Sequence, residues 1–208
     1  MVNSPRSITM SNSPFNYNEV SISAYCEALG SNAATPGGGS AAAVVLNLAA
    51  NCAAKAAVFS GIDDNQAVRT FYDRCKDCAA KALQLAADDE RTFLAWKDAR
   101  ALPKDTPAEQ EFRIAAVNEA VTDCISVPYN LAKLSLSFRD SLEPFRPLCK
   151  QWLLSDLDVA KSFASAAFEA ALANIDINMP FLKDERLKGE IEEFVKTSPL
   201  PTASPLHA

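Results

Sequence analysis

Asp89 stands where a helical pattern predicts a core residue, and a carboxylate in such a place can move protons. Around it, residues recur at alternating spacings of four and three, which is typical of a helix face packed against neighbours. Asp88 instead falls on a polar face of the same helix. Burial raises the pKa of a carboxyl group towards neutrality, where it can act as a general acid or base. The other members of the stripe are Val68, Tyr72, Cys75, Ala79, Ala82, Ala86, Phe93 and Trp96.

A second stripe with the same spacing carries Asp156 and Asn174 as its polar members. Because an unpaired buried carboxylate is costly, we expect each of these aspartates to have either a partner or a chemical role. The alternative for both is a helix cap or an ion pair with a lysine, and Ser155 and Asp156 together are well suited to begin a helix. The stripe consists of Cys149, Trp152, Asp156, Ala160, Phe163, Ala167, Ala170 and Asn174.

Three of the six glycines lie in one short segment, Thr35-Pro36-Gly37-Gly38-Gly39-Ser40, immediately before an alanine-rich run. Glycines free the backbone, and Ser40 suits a helix start. The exposed N–H groups of such a start favour an anion or a carbonyl oxygen. A tight turn that allows close helix packing is the alternative. The segment lacks the residues of a P-loop and the preceding strand of a dinucleotide-binding motif.

A third polar stripe follows on the alanine-rich helix, where Ser40, Asn47, Asn51 and Lys55 share one face. This face either contributes to a binding site or is turned to solvent.

Proline and glycine divide the chain into helical segments, and strand signals are almost absent. We therefore predict an all-α, single-domain helical bundle over 18–197, with a flexible N-terminal arm over 1–17 and a flexible tail over 198–208. The segment 64–101 would be about 55 Å long as one helix, which favours cover by a second subunit and hence a homodimer or larger homo-oligomer. The predicted helices are 18–30, 40–60, 64–101, 107–127, 129–142, 148–177 and 183–197.

Composition excludes several classes of function. The net charge of −6 argues against a nucleic-acid partner, and we identify neither a membrane span nor a secretory signal. Six cysteines without a signal peptide indicate reduced thiols in the cytoplasm, and Cys75 and Cys78 are interpreted as small core residues rather than a metal or redox pair. Since the one histidine is His207, in the tail, the usual catalytic triads and His-based metal sites are excluded. We expect no metal and no covalently bound cofactor.

Several motifs, in this order, resemble the cyclodeaminase domain of the formiminotransferase-cyclodeaminase family and the related methenyltetrahydrofolate cyclohydrolases. The resemblance covers about 18–195 and identifies a divergent member. The motifs are the glycine segment up to Ala43, the acidic stretch 87–93, the Leu-Pro-Lys turn at 102–104, Val127-Pro128, Ser155-Asp156 followed by Val159-Ala160, and 174–178.

The resemblance implies an all-helical fold, assembly from dimers, and a reduced folate bound near the subunit interface. It implies Asp89 and Asp156 as site carboxylates that share one cleft with the glycine segment. We predict Asp89 as general acid or base and Asp156 as its electrostatic or orienting partner. The predicted substrate-binding residues are Pro36, Gly37, Gly38, Gly39, Ser40, Asn47, Asn51, Lys55, Phe93, Trp152, Asn174 and Asn178.

The sequence departs from the family near the predicted site. A basic run of the family corresponds here to the acidic segment 61–65, Asp158 replaces a glycine, and Trp152 replaces an asparagine. Three interpretations follow: a folate-dependent cyclodeaminase or methenyltetrahydrofolate cyclohydrolase, a repurposed member that uses the same aspartates on a non-folate amine or imine, or a non-catalytic oligomeric binding protein.

Overall fold

The computed structural model describes residues 15–198, which form six α-helices joined by short turns. No strand occurs in this part of the chain, as predicted. Three single-turn 3-10 helices lie at Arg146–Leu148, Gln151–Leu153 and Met179–Phe181. The α-helices are α1 (Ile22–Leu29), α2 (Gly38–Phe59), α3 (Gln66–Ala101), α4 (Pro107–Phe145), α5 (Leu154–Asn178) and α6 (Glu185–Thr197).

The helices α2 to α5 form a four-helix bundle in which α2 packs between α3 and α5, and α4 closes the other side against the same two helices. The inner face of α2 is almost all alanine, with Leu46 as its one large buried side chain, so its neighbours approach closely. By length and composition alone α2 could cross a membrane, but half of its most apolar window is buried in the bundle. Packing within the chain therefore accounts for half of this apolar window.

Helix α4 corrects one predicted boundary. We expected a break at Pro128, but the helix continues through it to Phe145. Proline has no N–H to donate to the carbonyl four residues earlier and usually bends or ends a helix. Here Pro128 is buried, and its neighbours Ile125, Leu131 and Ala132 are buried with it. Packing against the bundle therefore holds the helix together across a residue that local preference disfavours.

The predicted stripe of α3 is confirmed along the inner part of the helix, where Val68, Cys75, Ala79, Ala82 and Ala86 are buried. The stripe of α5 is confirmed only in part. Ala160 and Ala167 are buried, but Trp152 is 70% exposed. An apolar period predicts a helix face, yet it does not say whether that face is covered within one chain.

The segment before α1 is packed from residue 15. Phe15, Tyr17 and Tyr25 form an aromatic cluster with ring centroids 5.7 to 6.3 Å apart. Tyr17 also bonds to α3 through Glu90. The packed part of the chain thus begins before residue 18. The rest of the predicted arm, 1–14, and the tail from residue 199 lie outside the described residues.

Candidate active site

The glycine segment begins α2 directly over Asp89 of α3. The N–H of Ser40 donates to Oδ2 of Asp89 at 2.9 Å. A Cβ atom at Gly39 would lie 2.1 Å from Oδ1 of the same carboxylate, so only glycine fits there. Ser40 also closes the turn, because its hydroxyl donates to the carbonyl of Gly37 at 3.0 Å. The glycines therefore serve to let a carboxylate lie against the first turn of a core helix.

Asp89 is partly buried in this contact, and its environment favours the protonated form. Burial raises the pKa of Asp89 from 3.8 to about 6, the N–H of Ser40 opposes that rise, and the neighbouring Glu90 adds to it. A carboxyl group with such a pKa exchanges protons near neutral pH. The interpretation of Asp89 as an acid or base therefore has a physical basis in the structure.

A cavity of about 280 Å³ opens above Asp89, between the glycine segment, α3, α4 and the end of α5. Phe93 and Trp96 form an aromatic wall, with ring centroids 5.7 Å apart. The side chains of Asn174 and Asn178 supply amides from α5, and burial raises the pKa of the Cys124 thiol to about 11, so that it stays neutral. The remaining lining residues are Ala34, Thr35, Gly37, Gly38, Gly39, Thr92, Val121 and Ile177.

Gly39→Ala tests the contact between the loop and the carboxylate. The added methyl group cannot coexist with Asp89 in its present position, so either the carboxylate or the start of α2 must move. We expect a loss of about 2 kcal/mol in the free energy of unfolding, typical of overpacking. Urea denaturation measures it, and Gly37→Ala is the matched control, since a Cβ atom there meets nothing within 4 Å. Equal stability of the two variants would contradict the contact.

The structure gathers about half of the predicted site residues around this cavity. Gly37, Gly38, Gly39, Asp89, Phe93, Asn174 and Asn178 line it. Ser40 adjoins it through its bond to Asp89, and Pro36 is buried in the turn just before it.

Asp156 does not share this cavity, so the expectation of one cleft for both aspartates is wrong within a single chain. Asp156 lies in the first turn of α5, close enough to Cys52 to help raise the pKa of that thiol. Cys52 lies twelve residues after Ser40, about 18 Å along α2. Trp152 and Lys55 lie at this same far end. The stripes placed each residue on a helix face but did not reveal that α2 and α5 run in opposite directions.

Asn47 and Asn51 are also absent from the lining of the cavity. The amide of Asn47 donates to the carbonyl of Ala79 on α3 at 2.9 Å. The carbonyl oxygen of Asn51 accepts from Lys76 of α3 at 3.2 Å. These side chains join α2 to α3, a structural role that neither alternative for this stripe had included.

Glu90, Thr92, Trp96 and Cys124 are site residues that sequence reasoning did not single out. Trp96 was part of the α3 stripe, so its place at the cavity could have been inferred. Cys124 comes from α4, and nothing in the sequence pairs that position with Asp89. Glu90 is fully buried although it lies outside the apolar stripe. It is buried by residues 15–25, and no periodic pattern in the sequence indicates that this segment packs on α3.

The fold of the bundle has a known counterpart. The structure of formiminotetrahydrofolate cyclodeaminase from Thermotoga maritima matches with a TM-score of 0.75, covering 87% of this chain and 89% of that one at 22% identity, which establishes the shared fold. The model of the formiminotransferase-cyclodeaminase family matches residues 21–197. The chain therefore belongs to this family.

Relatives of both activities are found. Formimidoyltransferase-cyclodeaminase of Gallus gallus is 28% identical over 181 residues, which cover 84% of this chain and 33% of the relative. The Rattus norvegicus protein of the same name is 29% identical over 177 residues. Methenyltetrahydrofolate cyclohydrolase of Methylorubrum extorquens is 26% identical over 179 residues, 80% of this chain and 85% of the relative. The chain thus spans about a third of the bifunctional relatives and most of the cyclohydrolase.

Proposed function

We propose that this protein makes or breaks a C–N bond at the one-carbon unit of a reduced folate, as a cyclodeaminase or a methenyltetrahydrofolate cyclohydrolase. The observation that carries the proposal is Asp89, a carboxyl group with a pKa of about 6 that lies against the glycine turn and faces a cavity. Family membership supports this choice of chemistry, because relatives are named for both reactions.

Both reactions pass through a tetrahedral carbon and need one proton to change place. In cyclodeamination, the nitrogen that closes the new ring attacks the formimino carbon and gives up its proton, and the bond from that carbon to the amino group breaks. Asp89 donates the proton that lets the nitrogen leave as ammonia. In the hydrolytic reaction, water attacks the methenyl carbon and one ring C–N bond breaks. Asp89 transfers one proton of the water to the released nitrogen, and the other proton leaves to solvent. A negative charge on Asp89 also stabilises the methenyl cation.

The walls of the cavity suit a flat ligand with polar edges. Phe93 and Trp96 offer faces on which a heteroaromatic ring can stack. Asn174 and Asn178 add an amide each to the lining, and an amide group has both donors and acceptors. This combination of apolar walls with a few polar groups is typical of small-molecule sites. A non-catalytic binding protein has no need for a carboxyl group held at this pKa.

The acidic segment 61–65 gave the main argument for a non-folate substrate, and its position weakens that argument. It follows α2 at the end opposite to the cavity, about 35 Å away along the helix. Asp63 is paired with Arg69 at 2.7 Å. At such a distance its charge is screened from any ligand in the same chain's cavity. Within one chain, the acidic segment therefore gives no argument against a folate substrate.

Binding of a stable folate tests the substrate class. 5-Formyltetrahydrofolate at a hundred times its dissociation constant is expected to stabilise the protein by about 2.7 kcal/mol, because it binds only the folded state. Thermal unfolding and calorimetric titration measure this effect, with Trp96→Ala as the variant that removes a cavity wall. If millimolar folate leaves both the midpoint and the heat unchanged, the substrate is not a folate.

We further propose a homodimer formed through the face shared by α2 and α5. On α2, this face is turned away from the side on which Asn47 contacts α3. On α5, it is turned away from the side on which Lys161 bonds to Glu143 of α4. Its only charged members are Lys55 and Asp156. The large apolar side chains of this face are each at least 37% exposed, namely Leu48, Phe59, Trp152, Val159, Phe163 and Ile177. Its smaller members Ala166 and Ala173 are exposed, and Ala41, Val45, Cys52 and Ala170 are partly exposed.

The dimer face supports a second role for Asp156. The positions of this face recur at spacings of four and three from residue 152, just before α5, to residue 177 near its end. This spacing is typical of the seam between helices that pack side by side. A two-fold axis in the plane of the face and across the helices places the start of α5 of one copy over the end of α5 of the other. Ile177 belongs both to the face and to the cavity lining. Asp156, Trp152 and Lys55 of a second copy then complete the cavity of the first.

A further inference from the structure

Glu90 is a fully buried carboxylate directly beside Asp89. The hydroxyl of Tyr17 donates to its Oε1, and the N–H of Phe15 donates to its Oε2 at 3.4 Å. Both donors come from the segment before α1. An ionised carboxylate can only accept hydrogen bonds, so this arrangement suits it. The proposed reaction uses Asp89 and gives Glu90 no part.

The same aromatic cluster reaches the loop that holds Asp89. Tyr25 packs against both Phe15 and Tyr17, and its hydroxyl lies 3.4 Å from Oγ of Ser40. Ser40 in turn donates its N–H to Asp89. One cluster therefore binds Glu90 on one side and supports the loop on the other, and it keeps water from the back of the site.

Asp88, the other acidic neighbour of Asp89, provides an internal comparison. Its carboxylate pairs with Arg91 at 2.7 Å and accepts from Gln84 at 2.9 Å, on the outer surface of α3. Two acidic groups thus flank Asp89 at equal separations in sequence. One is buried without a cation, and the other is paired with an arginine and reached by water. A charge acts more strongly on a neighbour through the protein interior than through solvent.

We propose that Glu90, clamped by Tyr17, is a positioning residue that sets the proton occupancy of Asp89. The inference rests on the proposed function for its catalytic meaning, but the effect on Asp89 exists whether or not a substrate is known. The negative charge of Glu90 disfavours a second negative charge beside it, so Asp89 keeps its proton to higher pH. The clamp on residues 15–17 covers the side of Asp89 away from the cavity, and this burial acts in the same direction.

Apart from the ion pair of Asp88 with Arg91 on the outer surface, the side chains that face Asp89 do not carry charge around neutral pH. Burial raises the pKa of Tyr25 on α1 above its usual value, and that of Cys124 on α4 to about 11. The α2 side presents the N–H of Ser40, and the α5 side of the cavity presents the neutral amides of Asn174 and Asn178. The pKa of Tyr17 is also raised by burial. Among the described residues, Glu90 is therefore the acidic group whose removal changes the field at Asp89.

Titration of the Asp89 carboxyl carbon by carbon-13 NMR, without any substrate, tests the proposal, with the signal assigned by its loss in Asp89→Asn. Glu90→Gln keeps the shape and an acceptor for Tyr17 but removes the charge. We expect the Asp89 midpoint to fall by about half a pH unit, a threefold change in its ionisation constant. The shift should persist in 1 M NaCl, because the pair is buried. Asp88→Asn, the matched control, should leave the midpoint unchanged.

A second variant covers the case in which Glu90→Gln does not fold. Tyr17→Phe removes only the hydroxyl that clamps Glu90, and loosening of the segment admits water, so the midpoint of Asp89 should again fall. An unchanged or higher midpoint in either folded variant, or an equal fall in Asp88→Asn, overturns the proposal. Since folate binding is not part of this measurement, its outcome is separate from that of the folate experiment.

Discussion

Asp89→Asn is expected to lower kcat/KM by about two to four powers of ten, the usual contribution of a general acid or base. Asparagine has the shape of aspartate, and its carbonyl oxygen can still accept the N–H of Ser40. It cannot give up a proton. The loss should therefore fall on kcat rather than on substrate binding, and steady-state kinetics with the formimino or methenyl folate separates the two. Asp88→Asn is the control and should retain wild-type kinetics.

The pH dependence gives the same assignment a second test. With a pKa of about 6 for Asp89, the fraction that holds a proton falls tenfold for each pH unit above that value. Because the release of ammonia needs that proton, kcat/KM of the wild type is expected to decline above about pH 6, and Asp89→Asn should lack this limb. Full turnover by Asp89→Asn would remove Asp89 from the mechanism.

At neutral pH, we expect Asp89→Asn to be more stable than the wild type although it is less active. The pKa of Asp89 is higher in the folded protein than its ordinary value of 3.8, so folding binds a proton and stability declines as pH rises from about 4 to 6. At pH 7 the ionised carboxylate of Asp89 lowers the free energy of unfolding, and asparagine, which carries no charge, does not. Asp89→Asn is expected to be more stable by on the order of 2 kcal/mol at pH 7 and no more stable at pH 3.5. An inactive but stabilised variant distinguishes a chemical role from a structural one.

The apolar period predicted most of the fold because it reports which residues of a helix are covered. It correctly placed the inner stripe of α3 and singled out Asp89 within it. It failed at Trp152, where an apolar stripe remains uncovered in one chain. The break predicted from Pro128 was wrong for another reason, because long-range packing overrides a local preference there. It was silent on Glu90, because the cover of that residue comes from a segment about seventy residues earlier in the chain.

Contacts between elements account for the remaining errors. Asp156 lies at the opposite end of α2 from its expected partner Asp89, and the asparagine stripe is turned to α3. Both follow from how α2 is rotated and paired. The sequence gives the face of each helix but not the neighbour that the face meets. Asn47 illustrates the point. Its residue type is suited to a binding site, but in the structure its amide donates to the carbonyl of Ala79 and joins α2 to α3.

Mixing two inactive variants tests whether Asp156 acts across the proposed dimer. If each site takes Asp89 from one copy and Asp156 from the other, Asp89→Asn and Asp156→Asn are both inactive alone. After unfolding and refolding together in equal amounts, half of the dimers are mixed, and each mixed dimer has one site with both aspartates. Activity is then expected to return to about a quarter of the wild-type value.

The alternatives give clearly different results in this experiment. If both aspartates acted within one chain, each mixed dimer would have two damaged sites and no activity would return. If Asp156 had no catalytic part, Asp156→Asn would be fully active alone. Leu48→Glu in both variants is the control for the face itself, since a charge on the exposed α2 stripe should prevent pairing and abolish the recovery. Light scattering on the same samples should report monomers, so that recovered activity depends on the α2 and α5 face and on nothing else that refolding changes.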